Sequence, residues 1–220
     1  MAAIYLLRHG QASFGGDDYD VLSERGTQQA KVLGEELRRR ELPVHAVWSG
    51  RLRRQRDTAA ACLSAMGLDL PVQPDERWDE YDHVGVLSTP QPSSGSDRAA
   101  LSTFQQQLDE ALGAWLDGPA TAGTSGTWRE FSARSSAAVD ELAASLPKGG
   151  CALVFTSAGV VAALGVRFLG LTSVGYLALN RTMANCGITK IVSGRSGLNL
   201  VSLNEHGHFE GQHRDLLTYR

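Results

Sequence analysis

Cysteine is scarce in this sequence, and its spacing argues against two classes of protein. The 220 residues contain three cysteines, Cys62, Cys151 and Cys186. Because their number is odd and no CxxC pair is present, neither a disulfide framework nor a structural zinc site is favoured. We therefore expect reduced, mostly buried thiols and no bound metal.

Long apolar runs are also missing. No run approaches the roughly 18 residues that cross a bilayer, and the N-terminal residues lack the basic segment, apolar stretch and cleavage site of a signal peptide. We expect a cytoplasmic protein with no membrane partner.

The composition, 42% hydrophobic and 20% charged, is typical of a globular chain. We predict one domain over residues 1–220 with a helical and loop insertion at about 85–127.

An excess of basic charge is missing as well, since the formal net charge is −3. Arginines nevertheless cluster in one predicted helix, as Arg51, Arg53, Arg54 and Arg56. No aromatic side chains are interleaved with them, so a nucleic-acid partner is a disfavoured alternative.

The sequence does contain a regular alternation of short apolar runs with amphipathic segments. Such alternation predicts a three-layer α/β/α sandwich on a mainly parallel central sheet. Predicted strands cover residues 4–7, 46–48, 71–73, 151–156, 175–179, 188–192 and 198–203. Predicted helices cover residues 23–41, 51–66, 98–116, 127–146 and 160–169. The last two strands are expected to form a hairpin around Gly194–Gly197, and Ser23 is expected to cap the first helix.

The first predicted strand delivers two cationic side chains to one edge of the sheet. Its apolar run, Ile4–Leu7, continues directly into Arg8, His9 and Gly10. Ligands of open α/β sheets bind outside the carboxyl ends of the strands. The second strand likewise ends just before the arginine-rich helix, and an acidic segment, Asp75–His83, follows the third.

These groups, if they converge, can carry out phosphoryl transfer. Two guanidinium groups bind a phosphate dianion bidentately and neutralise the charge that spreads during transfer. A neutral imidazole, whose unperturbed pKa is about 6.5, can attack phosphorus. A carboxylic acid of raised pKa can protonate the leaving alkoxide and then activate water. No metal is required for this chemistry.

Six segments, in order along the chain, carry a resemblance to a known family. They are LLRHGQ (6–11), LSERGTQQA (22–30), SGRLRRQRDTAA (49–60), VFTSAGVV (154–161), NCGITKI (185–191) and LNEHGHF (203–209). With these segments the sequence resembles the histidine phosphatase superfamily, also called phosphoglycerate-mutase-like. The resemblance implies that fold and a phosphohistidine intermediate, and residues 85–127 are its least comparable part.

The resemblance also implies roles for particular residues. His9 is expected to be the phosphorylated nucleophile, and Arg8 and Arg54 are expected to bind the phosphate. Arg54 is selected over its neighbours because it lies four residues before Thr58, as in the family's motif. Glu80, in the segment WDEYDH, best matches the family's acid. The competing carboxylates are Glu76, Asp79 and Asp82.

The sequence departs from the family at the second motif histidine. Ser157 and Ala158 stand where the family commonly has His and Gly. A serine hydroxyl can donate a hydrogen bond to a phosphate oxygen but adds no positive charge, so weaker transition-state stabilisation is expected. Gln11 and the loop Ser13–Gly15 are further candidates for lining the phosphate pocket.

We therefore expect a metal-independent, cofactor-free phosphatase that hydrolyses small-molecule phosphomonoesters through His9. A phosphoglycerate mutase is a less favoured alternative, because a mutase needs a closed, strongly cationic pocket with both histidines. A catalytically weak or inactive phosphate-binding protein is another alternative, motivated by Ser157. His206 and His208 lie near the last matched segment, and a structural or exposed role is favoured for both.

Overall fold

A computed structural model describes residues 1–13, 20–82, 86, 98–117 and 126–219, with no side chains described for 98–106 and 108. The predicted loop at 88–97, nearly all of the loop at 117–127 and the predicted pocket-lining residues after Ser13 lie outside the described residues.

The strands and helices lie close to the predicted ones. The strands are β1 (Ala2–Arg8), β2 (Val44–Ser49), β3 (Val72–Pro74), β4 (Cys151–Thr156), β5 (Ile188–Gly194) and β6 (Gly197–Glu205). The α-helices are α1 (Glu24–Arg39), α2 (Arg53–Met66), α3 (Arg98–Asp117), α4 (Trp128–Ser145), α5 (Ala158–Leu169) and α6 (Ser173–Thr182). Ser23 caps α1 by accepting a hydrogen bond from the Gly26 amide, as expected. Short 3₁₀ turns occupy Glu76–Trp78, Gly207–Phe209 and Gly211–Leu216.

The strands form one sheet in the order β3-β2-β4-β1-β5-β6. The first four in this order run parallel, and β5 and β6 add an antiparallel hairpin at one side. The predicted hairpin turn between Gly194 and Gly197 is confirmed. This is the mainly parallel α/β fold that the alternation of elements predicts.

Apolar side chains of β1 alternate between two hydrophobic cores, one on each face of the sheet. Ile4 and Leu6 pack with residues of α3, α4, α5 and α6, whereas Tyr5 and Leu7 pack with residues of α1 and α2. The sheet is therefore the middle of three layers. All six residues of β4 are buried, as expected for a central parallel strand covered on both faces.

The strand predicted at residues 175–179 is wrong, because this segment lies in α6. A five-residue apolar run does not by itself distinguish a strand from a buried helix. Tyr176 and Asn180, one helical turn apart, are the buried residues of α6. Tyr176 packs edge-on against Trp128 at 4.7 Å between ring centroids, so packing of one helical face decides the conformation.

Within the described parts of the chain, no helix is both long and apolar enough to cross a bilayer.

Candidate active site

Three parallel strands end at the same edge of the sheet. Arg8 of β1 pairs with Thr156 of β4, so the next residues, His9 and Ser157, leave the sheet side by side. On the other side of β4, β2 ends with Ser49 opposite Phe155, and α2 begins shortly after. The residues that follow β1, β2 and β4 therefore lie close together at this edge, where a ligand crevice is expected.

The backbone around His9 is fixed by its neighbours. Its amide donates to the Thr156 carbonyl at 2.9 Å, and its carbonyl accepts from Asn185 Nδ2 at 3.1 Å. The amide of Gly10 donates to Thr58 Oγ1 at 3.0 Å. A Cβ on Gly10 would stand 2.4 Å from the Gly26 carbonyl oxygen, so only glycine lets this turn pack against α1.

The hydrogen bonds of the His9 ring identify its tautomer. Nδ1 lies 2.7 Å from the Gly10 carbonyl oxygen, which can only accept, so Nδ1 carries the proton. Nε2 accepts a hydrogen bond from Arg54 Nε at 3.2 Å, so Nε2 carries the lone pair. Burial, followed by the charges of Arg54 and Arg8, holds the pKa of His9 well below its ordinary value. The imidazole is therefore neutral near pH 7.

Arg54, in the first turn of α2, is oriented by a carboxylate that sequence analysis did not find. Its Nη1 donates to Asp20 Oδ1 at 2.7 Å, and Asp20 Oδ2 accepts from the Arg53 amide at 2.7 Å. Asp20 thus satisfies the amino end of α2 and positions the guanidinium group beside His9. It lies at the end of a turn-rich segment without periodicity, so its contact with α2 has no signal in the sequence.

Arg8 lies in the same buried region but bonds to the end of the chain. Its Nη1 donates to the carbonyl oxygens of Met183 and, at 2.6 Å, Tyr219. Its charge lowers the pKa of both His9 and Glu80. Arg8 therefore lies within electrostatic reach of both groups.

Glu80 lies at the amino end of α5. Its Oε2 accepts from the Gly159 amide at 3.1 Å, and its Oε1 accepts from the Tyr81 amide at 3.1 Å. Burial raises the pKa of Glu80 above its ordinary value, against the opposing effect of these amides and of the Arg54 and Arg8 charges. The carboxyl group therefore holds its proton to a higher pH than an exposed one.

The segment carrying Glu80 is clamped from α4. Arg134 Nη2 donates to the backbone carbonyls of Asp79 at 2.8 Å and Glu80 at 3.3 Å, and its Nη1 donates to the Glu76 carbonyl. The competing carboxylates of Glu76 and Asp79 both pair with the exposed Arg51, at 2.8 and 2.9 Å. Asp82 lines the cavity described below.

Ser157 is completely buried and bonds to α2 rather than to its own helix. Its Oγ accepts from Gln55 Nε2 at 2.8 Å and makes no side-chain capping bond to α5. The same Gln55 amide nitrogen donates to the Trp78 carbonyl at 3.1 Å. Gln55, which sequence analysis did not single out, therefore ties Ser157 to the turn that precedes Glu80.

Three further sequence candidates, Gln11, His206 and His208, make contacts of their own. The side-chain oxygen of Gln11 accepts from Ser23 Oγ at 3.0 Å, so Gln11 contacts the start of α1. His206 Nδ1 bonds to the Asn204 carbonyl at 2.7 Å. His208 packs against Phe209 at 4.3 Å between ring centroids, and burial lowers its pKa to about 4. Neither histidine shows a contact with His9, Arg54 or Glu80.

A cavity of about 530 Å³ opens beside Arg54 and Glu80, between the segment 76–82 and helices α3 and α4. Aromatic rings of Tyr81, Trp115 and Phe131 line it together with charged side chains. Cavities of several hundred Å³ accommodate small-molecule ligands. Among the described residues, no group of three or more His, Cys, Asp or Glu could hold a metal ion.

Comparisons with known proteins agree with this fold. Residues 4–206 match the model of the histidine phosphatase superfamily (branch 1). A mycobacterial glucosyl-3-phosphoglycerate phosphatase, solved in complex with VO3, superposes with a TM-score of 0.69 at 27% identity, over 93% of this chain and 99% of that one. No curated protein matches the sequence.

Two more distant structures show the fold alone. Phosphoserine phosphatase from Entamoeba histolytica superposes with a TM-score of 0.69 at 18% identity, over 94% of this chain and 99% of that one. YhfR from Bacillus stearothermophilus superposes with a TM-score of 0.72 at 22% identity, over 96% of this chain and 100% of that one.

Proposed function

The chain belongs to the histidine phosphatase superfamily (branch 1), and from this premise we propose that it is a metal-independent phosphatase that hydrolyses phosphomonoesters through a phosphohistidine on His9. The tautomer of His9 is the observation that carries the proposal. Nδ1–H is anchored on the Gly10 carbonyl, and the lone pair of Nε2 lies against Arg54. A neutral, oriented imidazole beside a guanidinium group is suited to attack a bound phosphate.

In the first half-reaction, His9 Nε2 attacks phosphorus and the bond between phosphorus and the ester oxygen breaks. Arg54 and Arg8 stabilise the charge on the phosphoryl oxygens. The leaving alkoxide takes the proton of Glu80, whose raised pKa lets it hold that proton to a higher pH than an exposed carboxyl group does. The products are the alcohol, phosphohistidine and the Glu80 carboxylate.

In the second half-reaction, the Glu80 carboxylate takes a proton from water, and the oxygen of that water attacks phosphorus. The bond between phosphorus and Nε2 breaks and its electron pair returns to His9, while Glu80 keeps the proton that it took from water. Inorganic phosphate leaves, and the site is restored without a cofactor.

Ser157 is the proposed third phosphate ligand, with Gln11 as a further predicted contact. Because the Ser157 oxygen already accepts from Gln55, its hydroxyl proton is available to a phosphate oxygen. A neutral donor in place of a charged one favours slow turnover. The described lining of the adjacent cavity includes five carboxylates and four arginines, which supports a phosphatase over a mutase that needs a strongly cationic pocket.

Steady-state hydrolysis of 4-nitrophenyl phosphate by the wild type and by His9→Ala tests the proposal. We expect turnover by the wild type in the presence of a chelator, and a loss of at least 10³-fold in the variant, as for removal of a nucleophile. His45→Ala is the matched control, because His45 is exposed and bonds to Pro43 at the far end of β2. Equal rates for wild type and His9→Ala would reject the mechanism.

A further inference from the structure

Three aromatic rings form one wall of the cavity beside the candidate active site. The ring centroids of Tyr81 and Trp115 lie 5.3 Å apart, and those of Trp115 and Phe131 lie 5.7 Å apart. Tyr81 and Phe131 are buried, whereas Trp115 is half-buried and borders the open space. Trp115 thus offers ring surface to a ligand while its neighbours hold it in place.

The orientation of Trp115 is fixed from a second direction. Its indole Nε1 donates to the Gly126 carbonyl at 3.2 Å, and its ring contacts Trp128 at 5.6 Å between centroids. A ring already held by packing and a hydrogen bond loses little conformational freedom when a ligand stacks on it.

Arginines of the cavity lining already bond to partners within the protein, and Arg134 does so through the backbone carbonyls of Asp79 and Glu80. Arg51 pairs with Glu76 and Asp79, and Arg77 pairs with Asp75 and Glu141. The described lining residues include four arginines and five carboxyl groups, one of which is Glu80, the proposed proton donor.

From these observations, and on the basis of the proposed function, we propose that the cavity binds the alcohol part of the substrate, and that it selects uncharged, ring-bearing alcohols over those that carry a carboxylate. The phosphate would lie between His9 and Arg54. The ring of the alcohol would extend past Glu80 and stack on Trp115. A carboxylate on the alcohol would lose hydration at a place where the arginines of the lining already have partners, so it would gain no new ion pair in return.

Two matched substrates test whether a negative charge on the alcohol part lowers kcat/KM. 4-Carbamoylphenyl phosphate and 4-carboxyphenyl phosphate have nearly the same shape and differ by one negative charge. We expect kcat/KM to be at least tenfold higher for the carbamoyl ester at low salt, with the difference shrinking as salt is added. Equal kcat/KM values would overturn the charge selection.

Substitution of Trp115 tests whether its ring stacks on the substrate. Trp115→Leu is expected to raise KM for 2-naphthyl phosphate about threefold to tenfold, the size of one aromatic contact, and to leave KM for glycerol 1-phosphate within about twofold. Phe168→Leu, an apolar replacement on α5 outside the lining, is the control and should change neither value. Loss of activity on both substrates in Trp115→Leu, or an unchanged KM on naphthyl phosphate, would overturn the stacking role.

These outcomes separate the two proposals. Suppose that the wild type hydrolyses the esters far faster than His9→Ala. If kcat/KM is then the same for the carboxy and carbamoyl esters and KM is unchanged in Trp115→Leu, only the selectivity proposal fails. If no ester is hydrolysed above the His9→Ala background, both proposals fail.

Discussion

His9 and Glu80 are buried in the same region, and their pKa values move in opposite directions. Burial and two arginine charges lower the pKa of His9, whereas burial raises that of Glu80. Proton affinities separated in this way support the proposed roles of His9 as nucleophile and Glu80 as proton donor. The nucleophile stays neutral as the pH falls below its ordinary pKa, and the acid stays protonated above its own.

The pH dependence of kcat/KM, which reports the first half-reaction, follows from these directions. The rate is expected to fall as pH rises through the raised pKa of Glu80, because the leaving group then lacks a proton donor. It is expected to hold in acid well below pH ~6.5, the ordinary pKa of histidine, because His9 is still neutral there. A pH–rate profile that instead rose towards alkaline pH would contradict the acid role of Glu80.

Glu80→Gln distinguishes an acid from a merely structural carboxylate. The amide keeps the shape and an acceptor for the Gly159 amide but cannot give up a proton. We expect kcat/KM, which reports the half-reaction that releases the alcohol, to fall roughly 10²-fold to 10⁴-fold for an alkyl phosphate. For 4-nitrophenyl phosphate kcat/KM is expected to fall much less, since its leaving group needs little protonation. Glu76→Gln, at a carboxylate paired with Arg51, is the control. Equal losses on the two substrates would contradict the role.

Ser157 is the proposed third phosphate ligand, and its contribution to turnover can be measured by substitution. Ser157→Ala removes a hydroxyl that we propose donates to the phosphate, and it leaves the buried Gln55 amide with one acceptor fewer. Because a hydrogen bond to a charged group contributes about 1.5–3 kcal/mol, kcat/KM is expected to fall roughly tenfold to 100-fold. Ser135→Ala, at a fully buried serine of α4 that bonds to Phe131, should keep full activity. An unchanged kcat/KM in Ser157→Ala would remove Ser157 from the site.

Among the secondary-structure elements, the first turn of α5 has the most direct effect on the acid. A Cβ on Gly159 would stand 2.0 Å from Glu80 Oε1 and 2.8 Å from Tyr81 Cδ1. Glycine at this position is what allows the carboxyl group to reach the helix amide. Helix α5 and Glu80 can therefore take their observed positions only because residue 159 has no side chain.

Gly159→Ala is accordingly expected to displace Glu80 and to lower kcat at least tenfold on an alkyl phosphate. Gly113→Ala in α3 is the matched control, because no atom lies within 4 Å of a Cβ there. It should keep full activity and gain about 0.5–1 kcal/mol in the free energy of unfolding, since alanine favours a helix over glycine. Steady-state kinetics and thermal unfolding of both variants check this; full activity in Gly159→Ala would show that Glu80 does not need its observed position.

These elements are predictable from the sequence where an apolar periodicity marks a helix or where an apolar run marks a strand and its end. The strand before Arg8 and His9, the helix bearing Arg54 and the buried strand before Ser157 all lie where predicted. The segment 175–179 does not, since its short apolar run suits a strand or one face of α6. Asp20 and Gln55 act through contacts across the fold, 34 residues from Arg54 and 102 residues from Ser157, and no local pattern marks such contacts.

In the molecule as a whole, the last residues of the chain support the first strand. Thr218 Oγ1 accepts from Gln29 Nε2 at 2.8 Å and donates to Asn185 Oδ1 at 2.9 Å. Asn185 in turn donates to the His9 carbonyl at 3.1 Å. This network joins α1, the segment before β5 and the C-terminal residues at the candidate active site.

Thr218→Val tests whether the network stabilises the fold and the site. It leaves the buried Gln29 and Asn185 each with one partner fewer, which costs about 1–3 kcal/mol per buried group left unsatisfied. A fall in the midpoint of thermal unfolding of several degrees is expected, with a smaller fall in kcat. Thr218→Ser keeps the hydroxyl and should behave as the wild type. A Thr218→Val variant with wild-type stability would show that the C-terminal residues contribute little.

The covalent intermediate is the most direct test of the account. We propose rapid mixing of the protein with a ³²P-labelled aryl phosphate, an alkaline quench that preserves phosphohistidine, and mass spectrometry of the peptide around His9. A phosphoryl group is expected on His9 Nε2 in the wild type, in a larger amount in Glu80→Gln because water attack then lacks its base, and not at all in His9→Ala. Turnover by the wild type with no phosphorylated His9 at any time point would contradict the proposed mechanism.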